Sequence, residues 1–190
     1  NKDRPSDAKT VWELSRMQWL VAVGQAHLLT RDERYARTVR DVLEQWIAEN
    51  PYACSVNWGV TIEAALRIFS WIWFFRVFGQ SASWADSRFR ERFLTTLFLH
   101  GEFTEHFFER NDVNGNHFTA DAAGLLAAGA FFRGNPDADR WLDRCRADLE
   151  HEIVLQVFAD GVDFEASTAY HRLVAELLLH ASLWASTAGK

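Results

Sequence analysis

The sequence predicts an all-α fold: an incomplete α/α toroid or barrel of antiparallel helical hairpins with about seven helices. Apolar residues recur at helical spacing along nearly the whole chain, and no segment shows the convincing alternation of a strand. The connections between predicted helices are short, which is typical of successive antiparallel hairpins. Because a single helical layer cannot bury both faces, we expect the hairpins to close into part of a toroid, with a right-handed solenoid as the alternative.

The first two helices follow from apolar stripes and helix-end signals. One helix is predicted over residues 7–29. The next begins at Thr30, where Glu33 occupies the position that a capping box requires. It ends at Asn50-Pro51, because the residue before a proline is driven out of the helical region. Residues 52–57 are expected to form a loop.

The central part of the chain contains three predicted helices. The third starts near Trp58 and stops at Gly79, and the fourth covers residues 86–109. A polar turn at 111–115 precedes the fifth, which covers 117–132. Small side chains let neighbouring helices approach closely, so we expect this fifth helix to be central. Its small residues are Ala120, Ala122, Ala123, Gly124, Ala127, Ala128, Gly129 and Ala130.

Two further helices complete the predicted fold. Residues 134–136, Gly-Asn-Pro, break the chain before a sixth helix over 137–157. Asp-Gly at 160–161 forms a turn, and a last helix covers about 167–185. No clear internal sequence repeat accompanies these hairpins.

Length and chain ends indicate one domain, residues 1–190, that is a segment of a longer protein. The 190 residues suit a single domain with a substantial core. The chain begins with Asn1 rather than an initiator methionine and ends with Lys190 directly after a helical pattern. This segment contains no signal peptide and no apolar run long enough to span a bilayer. We expect a periplasmic or secreted bacterial protein whose signal lies outside the segment.

The charge balance limits the partners. The formal net charge is −6, which argues against nucleic acid because the phosphate backbone selects basic surfaces. It argues mildly against a polyanionic substrate as well, unless the binding cleft is locally basic. Aromatic residues make up 14% of the chain; we expect most in the core and some lining a groove for sugar rings. Cys54 and Cys145 could pair or both be free.

A first candidate site comprises Asn57, Trp58, Glu63 and Arg67. Glu63 and Arg67 are four residues apart, so an intrahelical ion pair is expected, and Asn57 could simply cap the third helix. The functional interpretation makes Trp58 a sugar platform and lets Asn57 or Arg67 contact a carboxylate. For this group we favour the structural interpretation.

A second candidate site is the turn Asn114-Gly115-Asn116-His117. Asn114 or Asn116 could be an N-cap, with His117 an ordinary first-turn residue. The turn opens the helix of small residues, however, and the positive N-terminal end of a helix favours an anion. We therefore favour the interpretation in which an amide and an imidazole hold a carboxylate there.

A third candidate site lies at the start of the last helix. Ser167 or Thr168 could cap that helix, and Tyr170 could simply pack with its hydroxyl at the surface. The functional interpretation makes Tyr170 a proton donor or acceptor. Because the ordinary pKa of a tyrosine phenol is about 10, this role requires a nearby cation. His171 and Arg172 are adjacent on the helix and point elsewhere, so we expect the cation to come from another segment.

Other kinds of site lack sequence support. The chain has no zinc-binding spacing, no phosphate loop, no dinucleotide glycine pattern and no nucleophile elbow. We therefore expect no metal or cofactor in this segment. Carboxylates that a glycoside hydrolase would need are present at Asp121, Asp163 and Glu165, but nothing in their spacing singles them out.

The order of these motifs resembles the heparinase II/III-like polysaccharide lyases and the alginate lyases of similar architecture. The order is WELSR, a helix ending in NP, NW followed by E and R, then NH, a helix of small residues, and DG followed by E, S and YH. The similarity runs from Val11 to about Leu179, and the order is more specific than any single motif.

The resemblance implies an α/α toroid, normally followed by a β-sandwich domain that is absent here, and eliminative cleavage of an acidic, uronate-containing polysaccharide. Asn116 then corresponds to the amide that neutralises the uronate carboxylate, with His117 beside it, and Tyr170 to the proton-transferring tyrosine. A further catalytic histidine would come from the β-sandwich, where a metal is also conceivable. The candidate substrate-binding residues are Asn57, Trp58, Glu63, Arg67, Glu165 and His171.

Two other functions remain as alternatives. A non-catalytic domain would use its aromatic rings to bind a glycan or a partner, and the acidic charge balance favours this alternative. A hydrolase on the same toroid would use two carboxylates such as Asp121 and Glu165. We rank the lyase first, the binding domain second and the hydrolase third.

Overall fold

The computed structural model describes residues 7–189, which form helices joined by short turns. Residues 1–6 and 190, on which the expectation of an excised segment partly rests, lie outside the described residues. Within 7–189 the β-type pairing is one isolated bridge, Val157–Asp163, so the all-α prediction is confirmed. The helices are α1 (Ala8–Ser15), α2 (Val21–Thr30), α3 (Glu33–Glu49), α4 (Thr61–Phe78), α5 (Ser87–His106), α6 (Asn116–Phe131), α7 (Pro136–Gln156) and α8 (Thr168–Thr187).

The first predicted helix is in fact two helices. Met17 adopts a left-handed φ of 60°, which ends α1 and leads through a short 3-10 turn, Gln18–Leu20, into α2. Neither glycine nor proline stands at this break, so its position has no local sequence signal. At the break, Arg16 directs its guanidinium to Glu63 in α4.

The predicted capping box at the start of α3 is wrong. Asp32, not Thr30, caps the helix by accepting the Arg34 backbone N–H at 2.9 Å. The Thr30 side chain instead donates back to a carbonyl within α2. Glu33 accepts the backbone N–H of Ser83 at 2.6 Å, so its carboxylate ties α3 to the turn before α5.

Two other helix ends differ from the prediction. α4 begins at Thr61 rather than Trp58, because Ser55 caps a separate 3-10 turn, Val56–Trp58; Asn57 therefore does not cap α4. α5 ends at His106, three residues before the predicted end. Each of these changes shortens a predicted helix and lengthens the adjoining loop.

The helices form two layers of an arc. The inner layer contains α2, α4, α6 and α8, and each of these contacts the next. The outer layer contains α3, α5 and α7, and each pairs with the inner helix that precedes it. This succession of hairpins is the predicted incomplete α/α toroid. Alternate helices run in the same direction, so the inner helices begin at the same end of the arc.

The helix of small residues is central, as predicted. α6 packs against α4, α5, α7 and α8. A Cβ atom added to Gly124 would lie 2.8 Å from both the Cβ and the carbonyl oxygen of Ala65 in α4. Added to Gly129, it would lie 2.6 Å from the carbonyl oxygen of Ala138 in α7. Small residues therefore set the spacing between α6 and its neighbours.

Most of the aromatic rings are in the core, as expected. Trp71, Trp84 and Trp141 are fully buried. Cys54 is exposed, Cys145 is buried, and both thiols are free. In the part of the chain that the structure describes, no helix is long and apolar enough to cross a membrane.

Candidate active-site cleft

The first turns of α4, α6 and α8 meet α1 around a cleft of about 450 Å³. Four predicted site residues line it: Glu63, Asn116, His117 and Tyr170. They come from three helices, and each lies in the first turn of its helix. The positive ends of three helix dipoles therefore face one cavity, which favours an anion there.

Asn116 is the first residue of α6, and its side chain is held by a carboxylate. Its Nδ2 donates to Glu165 Oε2 at 2.9 Å and Oε1 at 3.0 Å, and its backbone N–H donates to Oε1 at 2.6 Å. The N-cap position is Gly115, so neither Asn114 nor Asn116 caps this helix. Glu165 supplies the missing capping group from a distant part of the chain.

His117 follows Asn116 and is oriented by a second carboxylate. Its Nδ1 lies 2.9 Å from Glu109 Oε2, and the side chain is about half exposed. Glu109 is itself held, because its backbone N–H donates to Asp121 at 3.0 Å. With Nδ1 engaged by Glu109, Nε2 is the imidazole atom left for a ligand.

Tyr170 lies in the first turn of α8 and is 43% exposed. Ser167 caps α8 and accepts the Tyr170 backbone N–H at 3.4 Å. Of the two residues predicted as caps of this helix, Ser167 and Thr168, it is therefore Ser167 that caps it. Lys9, Arg16 and Arg172 also line the cleft. The cleft that contains Tyr170 therefore includes cations from two parts of the chain, and one of them, Arg172, was expected to point elsewhere.

Arg16 is the principal residue that the sequence analysis missed. It donates to Glu63 from Nε at 2.8 Å and from Nη2 at 2.6 Å. These hydrogen bonds raise the pKa of the Arg16 guanidinium. Glu63 is 2% exposed and pairs here rather than with Arg67, so the predicted intrahelical ion pair is wrong. The only sequence signal for Arg16 was its place in the WELSR motif.

Arg67 is fully buried behind the cleft. It donates to His100 Nε2 at 2.9 Å and to the Asn57 carbonyl at 2.6 Å. Its guanidinium carbon lies 5.0 Å from the ring centre of Trp46 and 5.4 Å from that of Trp58. Burial lowers the pKa of Arg67 to about 9, so the side chain remains a cation at neutral pH.

The buried cluster around Arg67 corrects three predicted substrate contacts. Trp58 is 4% exposed and its ring packs against His100 and other aromatic rings, which leaves no face for a sugar. Asn57 is 6% exposed and donates to Asn50 at 2.8 Å. With Arg67, these residues support α4 from inside the fold and do not reach the cleft.

Glu165 and His171 lie beside the cleft rather than in its lining. Glu165 is half-buried and holds Asn116, as described above. His171 is exposed, and its Nδ1 accepts the Asp163 backbone N–H at 3.3 Å. In residues 7–189 no group of three or more His, Cys, Asp or Glu side chains could hold a metal ion.

The fold and cleft define this chain as an α/α toroid domain with an amide, an imidazole and a phenol at the starts of its inner helices. The chain belongs to the Heparinase II/III N-terminus family, whose family model matches residues 1–190.

Named relatives agree with this assignment. A heparin-sulfate lyase of Pedobacter heparinus is 30% identical over 181 residues, which cover 92% of this chain and 27% of that protein. A heparin-sulfate lyase of Bacteroides stercoris is 26% identical, over 87% of this chain and 27% of that protein. The chain therefore spans about a quarter of the length of these curated relatives.

Solved structures share the fold. The crystal structure of heparan sulfate lyase HepC from Pedobacter heparinus matches with a TM-score of 0.79 and 28% identity, over 97% of this chain and 29% of that one. A crystal structure of heparinase III matches with a TM-score of 0.80 over 93% of this chain and 27% of that one. Its identity of 22% supports the fold alone.

Proposed function

We propose that this chain is the toroid part of a polysaccharide lyase that cleaves a uronate-containing polysaccharide by β-elimination. The observation that carries the proposal is the convergence of Asn116, His117 and Tyr170 on one cleft at the starts of α6 and α8. The similarity to proteins named heparin-sulfate lyases supports an acidic polysaccharide as the substrate class.

The first chemical task is to acidify the C5 proton of the uronate. This proton is only weakly acidic, because the neighbouring carboxylate resists further negative charge. Hydrogen bonds from the Asn116 amide and from Nε2 of a protonated His117 would neutralise that carboxylate and stabilise the enolate-like transition state. The positive N-terminal end of α6 adds to the same effect.

The second task is proton transfer at C5 and at the departing O4. Tyr170 reaches the cleft from α8 and is the phenol that lines it. Where the C5 proton and O4 lie on one face of the sugar, Tyr170 as phenolate would take the C5 proton and then deliver it to O4 as the glycosidic bond breaks. Where they lie on opposite faces, Tyr170 as phenol would protonate O4, and the C5 proton would pass to the further histidine that the resemblance implies outside this chain. A positioned acid or base of this kind contributes about 10²–10⁴-fold to the rate.

The lining of the cleft is balanced in charge, in contrast to the acidic chain, which lessens the objection to an anionic substrate without making the cleft basic. The chain as a whole carries −6, but the cleft lining contains three cations, Lys9, Arg16 and Arg172. These balance the three carboxylates of the lining, one of which, Glu63, already pairs with Arg16. Because exposed charges act over about 10 Å at physiological salt, this local balance matters more than the overall charge.

The hydrolase alternative has little support in the geometry. Asp121 is fully buried, and its carboxylate accepts the Glu109 backbone N–H. Burial raises the pKa of Asp121 to about 8, but the group faces the protein interior, where no glycosidic bond can reach it. Its proposed partner, Glu165, is engaged by Asn116.

The decisive experiment follows ultraviolet absorbance while the full natural protein is incubated with a panel of uronate polysaccharides. Elimination creates a C4–C5 double bond that absorbs, whereas hydrolysis does not. Tyr170→Phe and Asn116→Ala should each lose most turnover and keep the fold. Matched controls are Tyr52→Phe, whose ring is similarly exposed outside the cleft, and Asn114→Ala in the same turn.

The outcomes separate the candidate functions. Product absorbance that both cleft variants abolish and both controls retain supports the lyase. Near-wild-type turnover in both cleft variants contradicts the assigned roles. Glycan binding without any absorbance change would favour the non-catalytic binding domain.

A further inference from the structure

We infer that Glu165 is a positioning residue that fixes the Asn116 amide at the cleft and ties it to the start of the helix carrying Tyr170. This inference rests on the proposed function and deepens it. It also replaces the expectation that Glu165 contacts the substrate directly.

The contact between Glu165 and Asn116 involves every polar atom of the carboxylate and both nitrogens of Asn116. Three hydrogen bonds of 2.6–3.0 Å join the two residues, and they use both carboxylate oxygens and both the backbone and side-chain nitrogens of Asn116. A carboxylate accepts but does not donate, so it selects the orientation in which Nδ2 rather than Oδ1 faces Glu165. The two Nδ2 distances, 2.9 and 3.0 Å, are nearly equal, as expected when one N–H is shared between the two oxygens, so the second N–H of the amide remains available to a substrate carboxylate. The side-chain amide of Asn116 is thereby held in one orientation at the cleft.

The neighbouring backbone is shaped to admit this carboxylate. A Cβ atom added to Gly115 would lie 2.7 Å from Glu165 Oε1, which is closer than real Cβ contacts. Any larger residue at position 115 would therefore push the carboxylate away from the start of α6. Glycine at 115 thus serves the position of the Glu165 carboxylate and not the backbone conformation, because its φ of −130° is open to every residue.

The backbone around Glu165 is also held in place, by a hydrogen-bonded turn. Its backbone N–H donates to Asp163 Oδ1 at 3.1 Å, and Asp163 is 1% exposed. The next residue, Ala166, adopts a left-handed φ of 53°, and its N–H donates to the Asp163 carbonyl at 3.1 Å. This tight turn leads directly to Ser167, the cap of α8.

The consequence is a short, rigid path between the two proposed catalytic groups. Asn116 is bound to Glu165, and Glu165 precedes Tyr170 by five residues through a hydrogen-bonded turn and a helix cap. Glu165 therefore sets both the orientation of the amide and its spacing from the phenol. Catalysis depends on such spacing, since small misplacements of a reacting group are costly.

The test is Glu165→Gln in the full natural protein, measured on a polysaccharide that gives unsaturated product. Glutamine keeps the shape but presents an NH₂ group to Nδ2, so we expect kcat to fall roughly 10- to 100-fold with little change in KM. In an Asn116→Ala background, Glu165→Gln should lower kcat little further, because Glu165 acts through the Asn116 amide and that amide is absent. Direct substrate contact instead predicts a change in KM, and additive losses would overturn the inference.

A structural control and a second readout complete the test. Asp86→Ala removes the side-chain cap of α5, far along the chain from the cleft residues, and should lower Tm without changing kcat. If Glu165→Gln behaves like this control, the positioning role is overturned. Hydrogen exchange at the Asn116 backbone amide should accelerate in Glu165→Ala, which removes every acceptor oxygen at this position, and unchanged exchange overturns the contact itself. Absence of product from the wild-type protein would overturn the proposed function, while the exchange result still reports on the contact.

Discussion

At the scale of single residues, the cleft depends on charges that are buried in pairs. Glu63 is 2% exposed and receives two hydrogen bonds from Arg16, whose side chain is 22% exposed. Removing one partner of such a pair leaves an uncompensated charge in a poorly solvated place. By contrast, the exposed pair between Arg34 and Asp32 remains in contact with water.

We therefore predict that Arg16→Ala lowers the free energy of unfolding by about 3 kcal/mol. The reason is that Glu63 stays buried without its guanidinium. Urea titration followed by tryptophan fluorescence measures the effect. Arg34→Ala is the matched control and should leave the transition where it is. Equal shifts for the two variants would contradict the assigned burial of Glu63.

A second prediction concerns Asp121 and pH. Burial raises the pKa of Asp121 to about 8, against about 3.9 in an unfolded chain. Between these values the folded state binds the extra proton, so the contribution of Asp121 to stability is full below about pH 4 and is lost as pH rises toward 8. The slope reaches about 1.4 kcal/mol per pH unit.

Asp121→Asn should remove that contribution to the pH dependence, because asparagine keeps a polar amide that does not titrate. Urea midpoints at pH 5 and pH 8 provide the measurement, and the variant should lose less stability than the wild type over this interval. Asp41→Asn, an exposed change on α3, should keep the wild-type dependence. A variant as pH-sensitive as the wild type would show that Asp121 titrates normally.

The residue scale also shows what the sequence could and could not predict. Asn116 directly precedes a predicted helix, and His117 and Tyr170 lie in the first turns of predicted helices, so their positions at helix starts followed from local signals. Trp58 lies in the 3-10 turn before α4 and Arg67 lies within α4, which is buried on nearly all sides. Periodicity cannot distinguish an exposed sugar platform from a buried ring beside such a helix, because burial is decided by helices elsewhere in the chain.

At the scale of elements, α6 shows how composition controls packing. It is the helix around which α4, α5, α7 and α8 assemble, and its small residues allow backbones to touch. Replacing one of its glycines sets two effects against each other. Alanine gains about 1 kcal/mol in helix propensity, whereas overpacking a rigid contact costs about 1–3 kcal/mol.

We predict that the clash dominates in Gly124→Ala, because the opposing atoms belong to the Ala65 backbone as well as its Cβ. The variant should be destabilised by about 1–2 kcal/mol in urea titration. Adding Ala65→Gly should recover part of the loss by removing the contact with the Ala65 Cβ, while the contacts with its backbone remain. A stabilised single variant would mean that the two helices separate easily.

Element boundaries were predicted less well than element existence. All of the segments predicted to be helical are helical, but the break at Met17 and the late start of α4 were missed. The break at Met17 adjoins a long-range contact, Arg16 with Glu63, whereas the late start of α4 follows from the separate turn Val56–Trp58 that Ser55 caps. Local propensity contains no information about such partners.

At the scale of the whole molecule, the order of helices explains why residues far apart in sequence share a cleft. Inner helices alternate with outer ones, so each outer helix returns the chain to the end of the arc at which the inner helices begin. Glu63, Asn116 and Tyr170 are each near the start of an inner helix, about 53 residues apart in both intervals. The helical hairpins could be predicted from the sequence. Whether they form part of a toroid or a solenoid could not be decided from it, because both architectures use the same hairpins.

The two free thiols differ in accessibility, and this gives the protein an intrinsic probe of its own folding. A soluble disulfide reagent should modify Cys54 at once, because it is exposed, and leave Cys145 on α7 untouched while the outer layer stays packed. Within residues 1–190 the stoichiometry should be one thiol in buffer and two in denaturant. The rate of the slow second reaction would then measure how often α7 opens, which needs neither a substrate nor an engineered label.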